Sequence, residues 1–517
     1  NIPRTLLGFK LIAALALASA GVSSLQAQIL RSYTGADTTN WSSTGSWAGS
    51  VVPITGDDVS FRNSATGTNN FNLTPSLTLR TIGVGSKSLD GTTTNNVITA
   101  TNLNGNTLNA TNLTVGENNS GNNSTTSGEW TISNGTLALS SGALQVGIKN
   151  ATATGAIGIG RIIGSSDLNF NATDLTSFRV GVATNTSGTA TGTMDFTNIN
   201  QGTLSVVGGG DTVYIGARIG GSGSGSVSTG TVTLGTNWDS TAFGTSGNRA
   251  GVYVGTRLVN TSGVGTLTQS GGTFTAHSTN FFVGSSTNFA DATSVSGTVN
   301  LTGTSSALID ATSLQIGNSG STAAIVTGSL TLGSGGQIVA GTTLVGRSGS
   351  GSATTQASLA LDKASLTVAG ATGTLLINNR GQVDATVGLT AGGLNRGGLI
   401  IENTAALALT INSLTTDSRG LQFTFENFNT SLWEVGNAGN FEAIYYAIRW
   451  QGIDRIAAIN SLISTNRLSA DTSLIFGSPA AQVFTQGGDT YYGFYVNSIP
   501  EPSTYAMFAL GLGALYL

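Results

Sequence analysis

The chain has 517 residues, of which 74 are glycine, only 9% are charged and none is cysteine, and its net charge at pH 7 is −4. The lack of cysteine excludes disulfides, thiolate catalysis and cysteine-based metal sites, and without clustered Lys and Arg a nucleic-acid partner is not expected. The apolar residues, 39% of the chain, lie in short Val, Ile, Leu and Phe runs, which favours a packed β-rich core over disorder.

Residues 1–27 are predicted to be a secretory signal peptide. Arg4 and Lys10 supply the positive start, and the apolar run 11–20 is too short to span a bilayer as a helix. The small residue Ala27 predicts cleavage before Gln28. Because the sequence begins at Asn1 rather than Met, we expect it to be a fragment at this end. A buried N-terminal helix is the alternative.

The segment 28–100 is predicted to be an N-terminal β cap. Trp41 and Trp47 precede Pro53 and the Gly-Asp pair at 56–57. This arrangement resembles the start of extracellular β-strand repeat proteins of the autotransporter-associated kind. Large aromatic side chains can close the open apolar end of a stack of coils. The alternative is that Trp41 and Trp47 stack on sugar rings.

A short sequence motif recurs through residues 101–396. It consists of two or three residues of an apolar strand followed by a glycine, which is called the closing glycine. The motifs lie 29 to 39 residues apart, a period that is typical of stacked supersecondary units. The eight closing glycines are Gly116, Gly147, Gly181, Gly216, Gly255, Gly284, Gly317 and Gly346.

Each period contains three short strand patterns, for example at 265–269, 272–275 and 281–284. Apolar residues alternate with Thr, Ser or Asn, as in half-buried strands, and glycine at the strand boundaries permits sharp corners. We therefore predict an all-β fold, a right-handed parallel β-helix (solenoid) of about 30-residue three-strand coils with outward Thr, Ser and Asn. An antiparallel sandwich or a string of hairpins is the alternative.

Residues 397–497 are predicted to form a small mixed α/β C-terminal capping domain. Aromatic residues become frequent there, and Ile453, Ile456, Ile459 and Ile463 fall on one helical face. The segment 491–496 has the pattern of a final strand.

Residues 498–517 contain Pro500-Glu501-Pro502, followed by an apolar run from 506 to 517. This order resembles the PEP-CTERM sorting signal of Gram-negative bacteria that make exopolysaccharide, in which the motif precedes a transmembrane helix and a short Arg-rich tail. The resemblance implies processing by an exosortase-type enzyme and transient contact with the cell-envelope membrane. The run is too short to span and no Arg cluster follows, so we expect truncation at this end. A chance Pro-x-Pro beside a core strand is the alternative.

The candidate catalytic residues are sparse. His277 is the single histidine, and we expect it to be a solvated surface residue. A catalytic pair of carboxylates would require Asp167 to lie near Asp174, or Asp195 near Asp211. Either pair would come together only if the conformation of the corners between strands happened to allow it. The glycine-rich stretches 158–164 and 208–214 lack the context of a nucleotide loop or a calcium repeat. We therefore predict no catalytic, cofactor or metal site.

Together these features predict a non-enzymatic, secreted structural or adhesive protein. The signal-like segments at both ends imply export and sorting to the surface or extracellular matrix of a Gram-negative bacterium. The polar surface of the predicted solenoid is compatible with association with extracellular polysaccharide or biofilm matrix. A β-helix polysaccharide lyase or glycoside hydrolase is the alternative.

Overall fold

The chain forms a β-solenoid built from parallel sheets. In the computed structural model it is described at residues 29–34, 40–62, 68–73, 77–87, 96–119, 124–151, 155–184, 188–220, 227–257, 262–286, 294–320, 325–348, 354–362, 364–368, 374–379, 382–390, 398–401, 409–411, 421–423, 444–451, 454, 456–464, 468–470, 475–486 and 489–498. About eight coils of about 32 residues make up the solenoid, which confirms the predicted fold class and period.

Each coil contributes a strand to each of three faces, and the strands are numbered here in chain order. Face 1 is an 11-stranded sheet, whereas faces 2 and 3 belong to one sheet of 22 strands. Face 1 consists of β3 (Thr68–Asn70), β5 (Val97–Asn102), β7 (Thr125–Ser133), β10 (Ala156–Gly164), β13 (Gly188–Phe196), β16 (Val227–Leu234), β19 (Ser262–Gln269), β21 (Ser294–Leu301), β23 (Ile325–Leu332), β25 (Thr354–Asp362) and β28 (Gln382–Thr390).

The other two faces share several long strands. Face 2 contains β8 (Gly135–Ser140), β11 (Leu168–Leu175), β14 (Gln201–Val206), β17 (Trp238–Phe243), β26 (Ser365–Val368) and β29 (Gly398–Ile401). Face 3 contains β1 (Leu30–Tyr33), β2 (Asp58–Phe61), β9 (Ala143–Lys149), β12 (Ser177–Ala183), β15 (Gly210–Ile215), β18 (Ala250–Arg257), β27 (Thr374–Asn379) and β30 (Leu409–Ile411). The strands that run through both faces are β4 (Thr78–Ser86), β6 (Thr107–Asn118), β20 (Thr273–Ser286), β22 (Ser306–Ser319) and β24 (Gln337–Ser348).

Pairing between successive coils is parallel on all three faces. On face 1, Gly230 of β16 lies in register with Gly192 and Gly265 of the neighbouring coils. The first half of β20 pairs with β17, and its second half pairs with β18. This register excludes the antiparallel sandwich and hairpin alternatives for the repeats. The parallel ladder starts at β1 and reaches β30, so it extends at both ends beyond the interval 101–396.

The interior follows from the period-2 pattern of the strands. In β16, Val232 and Leu234 are buried, whereas Thr231 and Thr233, which alternate with them, point outward. Equivalent apolar residues of successive coils form one continuous buried core from Tyr33 to Leu366. Because each coil is covered by its neighbours, the stack needs few charged residues to protect its edges.

The closing glycines mark a point where two sheets meet backbone to backbone. Nine of them, Gly85 and the eight predicted from sequence, have φ between +55° and +68°, a conformation that L side chains rarely adopt. A Cβ on Gly216 would overlap the carbonyl oxygen of Val264 on face 1, and one on Gly147 would overlap that of Thr191. These positions therefore require glycine for two independent reasons.

A second column of glycines, on face 1, completes this contact. A Cβ on Gly160 would overlap the backbone nitrogen of Gly147, and Gly230 faces Gly216 in the same way. The column consists of Gly128, Gly160, Gly192, Gly230, Gly265, Gly297 and Gly328. The sequence interpretation placed Gly265 at a strand boundary, but it lies inside β19, where its role is close packing rather than a corner.

A narrow side compartment lies beyond the two glycine columns. It is lined by the second residue after each closing glycine, including Asn118, Lys149, Ala183 and Arg218, all of which are buried. The inward residues of the first half of face 1 line its other side, and Gly188 leaves room for the Lys149 side chain, whose Cε would lie 2.7 Å from a Cβ there. Burial, reinforced by the positive charge of Arg218, lowers the pKa of Lys149 to about 8.

The parallel ladder gives way to antiparallel pairing at the C-terminal end. Strand β32 (Ile444–Gln451) is parallel to β29 but antiparallel to β35 (Asp489–Ser498), which pairs with β34 (Ile475–Gln486). Two short strands, β31 (Leu421–Phe423) and β33 (Leu468–Ala470), pair with each other. Helix α1 (Ile456–Ser464) buries Ile459, as its apolar spacing predicts. Among the described residues, no helix combines the length and apolar composition needed to span a membrane.

Candidate functional site

Trp41 and Trp47 are buried at the N-terminal end of the stack. Their rings meet edge to face with centroids 5.3 Å apart, and Trp41 also packs against Phe61 and Phe71. The Nε1 of Trp41 donates to Oδ1 of Asn69 at 2.7 Å, and the Nε1 of Trp47 donates to the carbonyl oxygen of Trp41 at 2.7 Å. A sugar ring needs an exposed indole face, and these residues are 0% and 2% exposed, so the packing favours the cap.

Replacing Trp41 with alanine should lower the free energy of unfolding by about 3 to 5 kcal/mol, because it empties a large buried site. Hydrogen exchange should become faster in β1 and β2 than in β25, since coils unfold most readily from an uncapped end. Trp41→Phe, which mainly loses the bond to Asn69, should have a much smaller effect. An Ala variant with unchanged exchange and weakened sugar binding would contradict the cap.

The residues of the predicted cleavage site and sorting motif lie outside the described residues. They are the cleavage site at Ala27 and Gln28, and the sorting motif at Pro500, Glu501 and Pro502. Export and sorting therefore stay predictions.

The two carboxylate pairs considered from sequence do not come together. Asp167 precedes β11 and Asp174 lies near its end, about 20 Å along the strand. Asp195 points outward from face 1, whereas Asp211 belongs to face 3 and accepts a 2.6 Å hydrogen bond from the hydroxyl of Tyr253. Neither pair has the geometry of a glycosidase dyad.

A cluster that sequence reasoning missed joins His277, Asp310 and Arg249 at the corner between faces 2 and 3. The Nδ1 of His277 lies 2.9 Å from Oδ2 of Asp310, and the Arg249 guanidinium contacts both carboxylate oxygens at 3.0 and 2.8 Å. Arg249 also donates to the carbonyl oxygens of Ser278 and Asp310. The side chains are 22% to 29% exposed, and they tie three successive coils together.

This corner cluster has the orienting half of a catalytic triad without a demonstrated nucleophile. A carboxylate that holds Nδ1 of a histidine can make Nε2 a base, but both oxygens of this carboxylate also accept hydrogen bonds from Arg249. The arrangement is therefore mainly a clamp between coils. A signal was present in the sequence, because His277 and Asp310 occupy equivalent places in consecutive periods and lie in register.

Replacing Asp310 with asparagine should lower the free energy of unfolding by about 1 to 2 kcal/mol, because Arg249 and His277 lose a shared carboxylate that is partly shielded from water. Thermal unfolding would measure the effect. Asp239→Asn, at an exposed position of β17, is the matched control and should change little. An unchanged Asp310→Asn variant would contradict the clamp.

An aromatic seam runs along the outside of face 3. Tyr214 and Tyr253 stack with centroids 5.1 Å apart, Phe282 meets Tyr253 edge to face, and Arg179 lies over the Tyr214 ring. Burial is the main cause of the raised pKa of both tyrosines, and Asp211 adds to it. The rings are 3% to 7% exposed and form a buried cluster with Ile148, Val182 and Ala217, so they do not offer an open binding platform.

The outward side of face 1 is a lattice of hydroxyl groups. Thr193, Thr231, Thr266 and Thr298 lie in register on successive strands. Two parallel columns flank this one, and they consist of Thr191, Thr229, Val264, Ser296 and Thr327 on one side and Asp195, Thr233, Thr268, Asn300 and Thr331 on the other. The spacing is about 4.8 Å between strands and about 6.6 Å between columns along a strand.

Within the described part of the chain, no three His, Asp or Glu side chains gather in a way that could hold a metal ion. The hydroxyl lattice of face 1 extends over the five strands from β13 to β23. Comparison with protein-family models, with curated proteins and with solved structures finds no match to this chain.

Proposed function

We propose that the chain is a secreted, non-enzymatic structural or adhesive protein that associates with extracellular polysaccharide. The observation that carries this proposal is the β-solenoid itself, a long ladder whose outward strand positions repeat Thr, Ser and Asn from coil to coil. Such a surface can make many weak hydrogen bonds to a repetitive polymer, and their sum gives avidity without any single strong site.

Three ion pairs of the described coils support the same function. Arg31 pairs with Asp57, Arg80 with Asp58, and Arg249 with Asp310, so these groups tie neighbouring strands together. Residues used in this way serve the structure rather than general acid–base chemistry, which requires a group within reach of a substrate.

Export and sorting complete the proposal. The signal-like residues 1–27 and the Pro500-Glu501-Pro502 motif would send the solenoid through the cell envelope, where an exosortase-type enzyme would process it at the membrane. Expression with an epitope tag after residue 28, followed by fractionation, would place the mature chain at the surface or in the matrix. Retention of a Glu501→Ala variant at the wild-type level would contradict the sorting step.

Polysaccharide association is tested by sedimentation of the full chain with a panel of insoluble neutral and acidic polysaccharides. We expect the protein to pellet with at least one of them while releasing no reducing ends or unsaturated products. The enzyme alternative rests on the Asp310–His277 pair. Clear turnover that Asp310→Asn abolishes would overturn the structural function and establish the enzyme.

A further inference from the structure

The outward side of face 1 is almost free of charge over consecutive coils. From β13 to β23 its three hydroxyl-bearing columns contain one charged residue, Asp195. On the two strands that precede β13, Arg161 of β10 lies next to Thr193 in the central column and forms an ion pair with Glu129 of β7 at 3.4 Å. A polyanion would find no cation to bind among these columns, whereas a neutral polymer would have to desolvate only the carboxylate of Asp195.

The hydroxyl groups of this surface are available. Among the described residues, the side chains of Thr193, Thr231, Thr266 and Thr298 make no hydrogen bond to the protein. Each hydroxyl can donate one hydrogen bond and accept two. The methyl group beside it gives the same column an apolar contact, and exposed Val227 and Ile325 extend that contact at the edge of the face.

The lattice is also preorganised. Threonine is β-branched and holds few χ1 rotamers in a strand, and the parallel register fixes the spacing between coils. Binding would therefore cost little side-chain conformational entropy. More of the free energy of each weak hydrogen bond then contributes to the affinity. A ligand can contact several successive strands only if its chemical groups repeat at a spacing similar to that of the strands. The sugar units of an extended glycan chain repeat at roughly the spacing of one coil.

From these observations we infer that the outward side of face 1, centred on Thr231, Thr266 and Thr298, is a docking surface for an extended, neutral polysaccharide such as a β-linked glucan. The inference deepens the proposed function and rests on it. The lack of a cation in these columns favours a neutral polymer over uronic-acid chains, and the open hydroxyl column supplies the contacts.

The test uses the full chain with phosphoric-acid-swollen cellulose as the neutral probe and a calcium alginate gel as the acidic one. Sedimentation at increasing polysaccharide gives an apparent dissociation constant. The test variant combines Thr231→Val, Thr266→Val and Thr298→Val, which keep the shape and remove the hydroxyls. The control variant combines Thr136→Val, Thr173→Val and Thr275→Val, at outward positions of face 2. A serine triple at the face 1 positions restores the hydroxyls.

We expect the wild type to bind cellulose more tightly than alginate, and the face 1 valine variant to bind cellulose about tenfold more weakly. The face 2 control should bind like the wild type, and the serine variant should recover most of the affinity. Circular dichroism and thermal unfolding should show that all variants are folded, because valine suits an outward strand position.

Four outcomes would overturn the inference. Equal binding by the wild type and a folded face 1 valine variant would show that another surface binds the glycan, and the proposed function would stand. Preferential binding to alginate would contradict the neutral ligand. If the wild type instead formed dimers that the face 1 valine variant abolished, the lattice would be a contact between two copies. Failure of the wild type to bind any polysaccharide would reject the proposed function itself.

Discussion

A Gly216→Ala variant should fail to accumulate as folded protein. Its new Cβ would overlap the carbonyl oxygen of Val264, so that face 1 would have to move away from face 3 by more than an ångström. The backbone at Gly216 has φ +59°, which adds strain for any residue with a Cβ. Because neighbouring coils share both columns of glycines, the displacement cannot stay within one coil. We expect a loss of more than about 4 kcal/mol, which is exceptional for a single substitution.

The control for this prediction is Gly105→Ala. Gly105 also has a positive φ of +76°, but a Cβ there would meet nothing within 4 Å. It should therefore lose only about 1 kcal/mol from backbone strain. Expression level, near-ultraviolet circular dichroism and urea unfolding would measure both variants. A Gly216→Ala protein as stable as Gly105→Ala would show that the two sheets do not meet backbone to backbone.

A natural exception supports the same argument. Ala357 follows Gly328 in register on face 1, so the column of glycines ends there. A Cβ on Gly317, the facing closing glycine, would lie 2.8 Å from the Cβ of Ala357 and 2.8 Å from the carbonyl oxygen of Gln356. Both distances are longer than the corresponding Cβ–oxygen distances at Gly216 and Gly147. Face 1 and face 3 therefore lie farther apart where alanine takes the place of one glycine in the column.

Much of the fold could be predicted from the sequence because its signals are local and repeated. Alternation such as Thr231, Val232, Thr233 indicates a strand with one side buried, and a glycine after every third strand indicates a corner. The role of Gly265 could not be found in this way. A glycine within a strand and a glycine at a boundary look alike in sequence, and only the distance to the facing backbone separates close packing from a turn.

The candidate site was predictable to a smaller extent. Outward threonines follow from the alternation, but their alignment into columns depends on variable corner lengths that set the register. The contact between His277 and Asp310 joins residues one full period apart, and Arg249 reaches it across two coils. Interactions of this kind become visible only when the coils are stacked. The burial of Trp41 also required the structure, since a tryptophan near the end of a repeat suits either a cap or a sugar platform.

The side compartment yields the second large prediction, which is a pH dependence caused by Lys149. Its pKa is about 8 in the folded chain, against 10.5 for an unperturbed lysine, chiefly because burial disfavours the charged amine and also because Arg218 repels it. Between pH 8 and 10.5 the unfolded chain binds more protons, so the free energy of unfolding rises with pH across this window. Below pH 8 both states are protonated, and the full penalty of roughly 3 kcal/mol persists.

Lys149→Met should therefore stabilise the protein by up to about 3 kcal/mol at pH 7, and the gain should vanish as the pH approaches 10.5. Urea unfolding of the wild type and the variant at matched pH measures the difference. The raised pKa values of Tyr214 and Tyr253 make both proteins less stable above pH 10, but this effect cancels in the comparison. Arg218→Met should raise the pKa of Lys149 only part of the way to 10.5, because burial is the larger cause of the lowered pKa. The pH range over which stability rises should therefore become narrower but should not disappear. If the difference in the free energy of unfolding between the wild type and Lys149→Met did not change with pH, the amine would keep its proton throughout this range. The side compartment would then stabilise a buried charge rather than exclude it.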